Sequence, residues 1–168
     1  FLLGGLLLPD FATAAALALD PCRIADQHGL VSIEARCGKF AVPEDPADPR
    51  GVKIELAVAV VPAVATTARP DPLFLIAGGP GQGAIQGYAP ILGAFAGIRR
   101  ERDLVLVDQR GTGGSNRLDC PMDDATLATG EMSPAEMREL AQECLGRLAA
   151  RPQFYTTSIA VRDLEAVR

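Results

Sequence analysis

Two short apolar segments, each running into a glycine-rich loop, constrain the fold of this 168-residue chain most strongly. The first is "LFLIA" (73–77) with the loop "GGPGQG" (78–83), and the second is "LVLVD" (104–108) with the loop "QRGTGGS" (109–115). Segments that are apolar at every position are typical of strands buried on both faces, which occur mainly in parallel sheets. A helix fits between them, around residues 85–98. The pattern therefore predicts an α/β fold with a parallel β/α unit.

Two longer segments precede this unit. "VSIEARCGKFAVP" (31–43) and "VKIELAVAVVPA" (52–63) are separated by the turn-rich "EDPADPRG" (44–51). Strand-forming segments on either side of a turn of this kind predict an antiparallel pair. The fold class we expect is thus antiparallel first strands followed by parallel β/α units.

Two helices are predicted after the glycine loops. Ser133 followed by Pro134 and Glu136 combines an N-cap residue, a proline at the first helical position and a capping-box glutamate. Apolar residues then recur at helical spacing from Met137 to Leu148, which predicts one buried stripe. A further helix is expected to begin near Thr157.

The first 21 residues have the character of an export leader. An apolar run is followed by small residues with A-x-A spacing at 12–14 and 16–18. A short buried helix is the alternative, whereas a stable membrane span would need about 20 uninterrupted apolar residues. We therefore expect a secreted, periplasmic or cell-envelope protein, with residues 1–21 as leader remnant and 22–168 as the folded part.

Four cysteines form two pairs that are local in sequence, Cys22 with Cys37 and Cys120 with Cys144. In an exported chain these predict two disulfides, although four cysteines allow three connectivities. Four reduced cysteines packed as small apolar side chains are the alternative. No C-x-x-C spacing occurs, and the single histidine, His28, has no companion ligands, so no metal site is predicted.

The charge of the chain argues against a nucleic-acid partner. The formal net charge is −5 and only two lysines occur, Lys39 and Lys53. A protein that follows a phosphate backbone needs a basic surface instead. The apolar content of 48% beside 22% charged residues is that of a globular protein.

The first glycine loop is compatible with two kinds of site. Gly79-x-Gly81-x-x-Ala84 fits a loose dinucleotide-binding fingerprint, with Asp108 at the end of the next strand as a ribose-binding carboxylate. Pro80, however, removes a backbone donor from the centre of such a phosphate site. Alternatively, the loop supplies a backbone N–H to the oxyanion of a tetrahedral intermediate.

The second interpretation accounts for both loops, and here the sequence resembles a known family. "GGPGQGA" followed by "LVLVDQRGTGGS" is similar to the paired H-G-G-P-G and D-x-R-G-x-G-x-S motifs of prolyl and tripeptidyl aminopeptidases. These are serine peptidases of the α/β-hydrolase fold. The secreted tripeptidyl-aminopeptidase branch fits better, since Ala77 replaces the histidine of the motif. Weaker similarity extends from about Cys22 to Arg168.

The resemblance implies roles for particular residues. Gly79, in the loop Gly78-Gly79-Pro80-Gly81, is expected to donate to the oxyanion, together with the residue after the nucleophilic serine. In the second loop the residues expected to be structural, with the first two tying the loops together, are Asp108, Arg110, Gly111, Gly113 and Ser115. A solvated surface charge is the alternative for Arg110, and capping of the next turn or helix is the simplest role for Ser115.

No residue of a catalytic triad is identified. The nucleophile elbow G-x-S-x-G is missing around every serine, and His28 precedes both loops, which is the wrong order for the general base. We therefore expect an N-terminal portion of a hydrolase, ending before the elbow and inactive alone. The full enzyme would act on a peptide or a small amide or ester without a cofactor.

Other functions remain open at this point. They are a Rossmann-type dinucleotide-binding module, an esterase on the same fold and a non-catalytic binding protein. Because half a sheet leaves an apolar edge uncovered, self-association of the isolated chain is also predicted.

Overall fold

The computed structural model describes residues 17–26, 28–79, 81–120 and 132–168. In the described residues, five strands form one mixed sheet in the order β1-β2-β3-β5-β4. They are β1 (Asp20–Ala25), β2 (Ser32–Pro43), β3 (Lys53–Val61), β4 (Leu73–Leu75) and β5 (Leu104–Val107). β1 pairs antiparallel with β2, β2 with β3, and β3 with β5, whereas β4 and β5 are the one parallel pair among the described strands. The predicted antiparallel pair and the predicted parallel pair are both confirmed, within a sheet that is mostly antiparallel.

The centre of the sheet is buried on both faces. All four residues of β5 are at most 8% exposed. Because side chains alternate across a strand, Leu104 and Leu106 pack on one face, and Val105 and Val107 pack on the other. This explains why "LVLV" is apolar at every position.

The segment between β4 and β5 covers the first face. It consists of α1 (Ala84–Tyr88), a 3₁₀ helix (Ala89–Phe95) and α2 (Ala96–Arg99). The single helix expected over 85–98 is therefore divided into three pieces. Pro90, which has no N–H to donate, stands at the start of the 3₁₀ helix, where a continuous α-helix would need that donor.

Among the described residues, two helices follow the second glycine loop. They are α3 (Pro134–Arg147) and α4 (Thr157–Val167), with a 3₁₀ turn (Pro152–Phe154) between them. Leu164 and Val167 of α4 pack on the second face of the sheet, beside Leu17 and Leu19. The helix predicted near Thr157 is confirmed.

The start of α3 is also as predicted, but the burial of its apolar face is not. Ser133 and Glu136 exchange both capping-box hydrogen bonds. The expectation of a buried stripe is wrong for the part of the chain that the structure describes: no residue of α3 is buried, and Met137 is 56% exposed. Helical periodicity shows which face is apolar, but another element has to cover that face, and no described element does.

Two disulfides have the connectivity that is local in sequence. Cys22–Cys37 joins β1 to β2, with Cα atoms 5.8 Å apart, and Cys120–Cys144 joins α3 to the segment before it, with Cα atoms 5.5 Å apart. Such bonds are compatible with a protein outside the cytoplasm.

The predicted leader, residues 1–21, lies outside the described residues up to residue 16. Its last two residues, Asp20 and Pro21, belong to β1, so the predicted boundary at Cys22 falls within this strand. Among the helices that the structure describes, none has the length and apolar character to cross a bilayer.

Candidate functional site

The two glycine loops meet at one edge of the sheet. β4 and β5 are parallel neighbours, so their carboxyl ends lie side by side, with the loops directly after them. Ligand sites of α/β proteins are commonly found at this edge.

Asp108, the first residue after β5, connects the two loops. Its Oδ1 accepts a hydrogen bond from Ile85 N–H in α1 (2.9 Å), and its Oδ2 accepts one from Gly114 N–H (2.8 Å). The residue is 3% exposed. Both carboxylate oxygens are therefore committed within the protein.

Gly83 and Gly113 make this close approach possible. A Cβ at Gly83 would lie 2.9 Å from Asp108 Oδ1 and 2.9 Å from Gly113 Cα. Gly113, at φ +47°, also faces the Asp108 carboxylate. Sequence reasoning assigned a role to Gly113 but none to Gly83, the last residue of the loop "GGPGQG".

The glycines earlier in the first loop have a different environment. A Cβ at Gly78 or Gly81 would meet nothing within 4 Å, and at Gly79 it would meet only the side chain of Gln82, 3.4 Å away. Gly79 and Gly81 have φ of +96° and +78°, which L-residues with a side chain rarely adopt. Pro80 lies outside the described residues. These glycines therefore form an exposed loop, and the space that their side chains would fill is open.

A cleft of about 290 Å³ occupies that space. Its near wall is the first loop, and its far wall runs from Tyr155 to Ala160 at the start of α4. The side chains of Gln82, Gln109 and Thr112 also line it. Among the described residues, no backbone carbonyl oxygen accepts a hydrogen bond from Gly79 N–H.

Gln109 holds the first loop from the cleft side. Its Nε2 donates to the carbonyl oxygen of Ala77 (3.2 Å), two residues before Gly79. The backbone N–H and the hydroxyl of Thr112 both donate to the Gln109 carbonyl oxygen, at 3.0 and 2.8 Å. Sequence reasoning missed Gln109 although it stands inside the second motif.

Ser115 fixes the second loop to the sheet. Its side chain is fully buried, donates to the Asp108 carbonyl oxygen (2.6 Å) and accepts from Ala57 N–H in β3 (2.7 Å). Its hydroxyl thus bridges the loop and a strand rather than capping a following helix. Gly111, at φ +80°, packs so closely on Tyr155 that a Cβ would lie 2.8 Å from its ring.

Arg110 does not contact the first loop through its hydrogen bonds. It is 5% exposed and pairs with Asp163 of α4, and its remaining donors bind backbone carbonyl groups of 43, 44 and 154. Asp108 therefore connects the two loops, whereas Arg110 connects the second loop to β2 and α4. Asp163 was not a candidate from the sequence.

Glu44 lies behind the far wall. Its carboxylate accepts hydrogen bonds from the Arg151 backbone N–H and from the Tyr155 hydroxyl (3.4 Å). The same hydroxyl accepts a hydrogen bond from the Asn116 side chain. Burial acts to raise the pKa of Glu44, but the hydrogen bonds and charge of Arg151 outweigh it and hold the pKa below its ordinary value. Burial raises the pKa of the Tyr155 hydroxyl, so this group is neutral at physiological pH.

His28 is far from the cleft. It lies in the turn between β1 and β2, where its backbone N–H donates to Asp26. Because β2 runs parallel to β5, this turn is at the opposite edge of the sheet from the glycine loops. Among the described residues, no three His, Cys, Asp or Glu side chains are grouped so that they could hold a metal ion.

Comparison with known proteins gives hydrolases. The chain is 36% identical, over 151 residues, to a protein of Mycobacterium bovis named as a hydrolase and to proteins named carboxylesterase B in two strains of Mycobacterium tuberculosis. The match covers 80% of this chain and 28% of each relative, so the chain spans little more than a quarter of their length. No protein-family profile matches the sequence. These relatives support a hydrolase in general.

Proposed function

We propose that this chain forms the oxyanion-binding part of a secreted serine hydrolase, with Gly79 N–H as one oxyanion donor. The observation that carries the proposal is the position of Gly79. It has φ +96°, lines the cleft, and belongs to a loop that the buried Asp108 anchors from behind. The relatives named as hydrolases support the same conclusion.

This geometry suits acyl transfer. The carbonyl oxygen of the substrate becomes negatively charged in the tetrahedral intermediate, and fixed N–H groups stabilise that charge without reorganisation. A glycine lets the carbonyl approach the backbone closely, since no Cβ stands in front of it. Gln109 and Asp108 hold the loop from opposite sides, so the donor is in place before the substrate arrives.

The nucleophile and the general base lie outside these 168 residues in this proposal. Ser32, Ser115, Ser133 and Ser158 have no elbow sequence around them, and His28 is at the wrong edge of the sheet. The relatives, of whose length the chain spans 28%, have ample sequence for both groups. The second oxyanion donor would be the residue that follows the nucleophilic serine.

The favoured substrate is the N-terminal part of a peptide, because both loop motifs resemble those of secreted aminopeptidases. A carboxylesterase is the second candidate, since two relatives carry that name. Both reactions pass through an acyl-enzyme and need no metal. Location outside the cytoplasm is supported by the disulfides Cys22–Cys37 and Cys120–Cys144.

A dinucleotide site is disfavoured by the same geometry. The Ile85 N–H at the start of α1 is occupied by Asp108 Oδ1, and the Asp108 carboxylate is 3% exposed. A ribose-binding carboxylate must reach the ligand, and this one cannot. Titration of the chain with NAD should therefore give no binding.

The decisive experiment uses the protein expressed from its complete gene. A serine-directed fluorophosphonate should label that protein, while the 168-residue chain alone stays unlabelled. Alanine keeps the backbone N–H, but a Cβ at φ +96° should force the loop backbone to rotate and turn this donor away from the oxyanion. Gly79→Ala should therefore reduce kcat, by up to the about 10²–10³ that loss of one oxyanion donor costs. Gly78→Ala is the control, because its Cβ would meet nothing within 4 Å and Gly78 has no positive φ. Equal activity of both variants, or stoichiometric labelling of the short chain, would refute the proposal.

The two substrate classes are separated by paired chromogenic substrates with the same acyl group. An aminopeptidase should cleave an aminoacyl or tripeptidyl arylamide as well as the matching aryl ester. A carboxylesterase should cleave only the ester, because the amide is the harder bond to break.

A further inference from the structure

We propose that the buried pair of Arg110 and Asp163 fixes the far wall of the cleft at its distance from Gly79, which makes both of them positioning residues. This inference rests on the proposed function, because it assigns a role in the same cleft. It concerns the wall from Tyr155 to Ala160, which Asp108 does not reach.

Every N–H of the Arg110 guanidinium group has an acceptor. Arginine has five N–H donors in a planar fork. Nε and Nη2 donate to the two carboxylate oxygens of Asp163, at 2.6 and 2.8 Å. Nη1 donates to the carbonyl oxygens of Glu44 (2.8 Å) and Phe154 (2.9 Å), and Nη2 also donates to that of Pro43 (3.2 Å). Five acceptors therefore match five donors.

This saturation excludes the simplest role for an arginine beside a cleft. Arg110 lines the cavity, and its charge would suit a carboxylate or a phosphate of a ligand. No donor is left for such a group, and the side chain is 1% exposed. Arg110 can therefore affect a ligand only through the segments that it holds.

Those segments bracket the far wall on both sides. The Phe154 carbonyl immediately precedes Tyr155, and Asp163 lies three residues, about one helical turn, after Ala160. The Arg110 guanidinium also lies 5.8 Å from the centre of the Tyr155 ring, within cation–π distance. The wall is thus tied to one guanidinium at its start and at its end.

The same loop therefore fixes both walls of the cleft. Asp108 holds the start of α1, directly after the first loop, and Gln109 binds the Ala77 carbonyl oxygen before Gly79. Arg110, the next residue, holds the Tyr155–Ala160 side. A substrate held between them reaches the oxyanion donor only when the two walls keep their spacing. Because catalytic geometry tolerates only about 0.5 Å of displacement, loss of this spacing should reduce kcat more than substrate binding.

The test is Arg110→Lys in the protein expressed from its complete gene. Lysine retains the charge for Asp163, but its three donors cannot serve five acceptors. We expect kcat to fall about 10–100-fold with KM within threefold, since misplacement acts on the transition state. Arg102→Lys is the matched control: its ion pair with Asp71 is exposed, and both constants should stay within twofold. An unchanged kcat in folded Arg110→Lys, or a rise in KM alone, would overturn the proposal.

A second measurement, on the unmodified protein expressed from its complete gene, applies even where Arg110→Lys does not fold. Amide hydrogen exchange at Ile159 and Ala160 should be as slow as in β3 and β5. The internal reference is α3, which has no buried residue and should exchange quickly. Amide exchange at residues 159–160 as fast as in α3 would contradict the proposal that Arg110 and Asp163 fix the far wall. If the fluorophosphonate instead fails to label the unmodified protein, the proposed function is refuted. Amide exchange still tests whether Arg110 and Asp163 hold the far wall in place.

Discussion

Glu44 and Arg151 are 107 positions apart in the chain, yet the backbone N–H and the Nε of Arg151 each lie 2.8 Å from a carboxylate oxygen of Glu44. The Glu44 side chain is 4% exposed, so this pair seals the end of β2 against the 3₁₀ turn before Tyr155. Burial opposes the charge, but the Arg151 hydrogen bonds prevail, and the pKa of Glu44 lies below its ordinary value of 4.5. The charged carboxylate is therefore the form that stabilises the fold.

The first prediction is a dependence of stability on pH that Glu44→Gln removes. A carboxylate with a lowered pKa in the folded state stabilises the protein above the unfolded-state pKa, and this contribution is lost as the pH falls through the folded pKa. Glu44→Gln should cost about 1.5–3 kcal/mol at pH 7, the range for hydrogen bonds to a charged group. Urea unfolding from pH 7 to pH 3 should show the difference between the two proteins shrinking below about pH 4.5.

Glu165→Gln provides the control for this series. Glu165 forms an exposed pair with Arg168, and exposed pairs contribute about 0–1 kcal/mol. A Glu44→Gln variant whose deficit stayed constant down to pH 3 would contradict the assignment.

The second prediction concerns Gly83. An added methyl group would lie 2.9 Å from Asp108 Oδ1 and from Gly113 Cα, so the backbones of both loops would have to move. Gly83→Ala should destabilise the protein by about 1–3 kcal/mol, as overpacking usually does. Gly97→Ala in α2 is the control, because its Cβ meets nothing within 4 Å. It should be neutral or stabilising in thermal unfolding, since alanine favours a helix.

The third prediction compares the two disulfides. Cys22–Cys37 closes a loop of 15 residues within the sheet, and both cysteines pack against the core. Replacing both by alanine should cost about 2–4 kcal/mol. The double replacement of Cys120 and Cys144 should cost less in unfolding of the sheet, because α3 has no buried residue in the described structure. An equal loss for both pairs, measured by urea unfolding, would show that α3 unfolds together with the sheet.

Local patterns were sufficient to predict several parts of this fold. Two apolar segments predicted the parallel pair β4 and β5, and a capping box predicted where α3 starts. These signals depend on residues within a few positions of one another. β1 was missed because its residues, Asp20–Ala25, adjoin a leader-like segment and show no clear alternation.

The polar contacts behind the cleft could not be predicted in the same way. Glu44, in a turn, and Asp163, on an exposed-looking helix, resemble solvated charges until their partners 107 and 53 positions away are known. The fate of the apolar face of α3 depends likewise on what packs against it. Long-range pairing, rather than local propensity, decides these features.

The fourth prediction tests the connection between the two loops. Asp108→Asn keeps the shape of the side chain but turns one acceptor into a donor, which would face either Ile85 N–H or Gly114 N–H. One buried N–H then loses its partner, so the variant should lose about 1–3 kcal/mol of stability in urea unfolding. Asp26→Asn is the matched control, because Asp26 also accepts from two backbone N–H groups but in a solvent-exposed turn. Amide exchange should accelerate at Ile85 and Gly114 in Asp108→Asn alone, and unchanged exchange there would show that Asp108 does not hold the loops together.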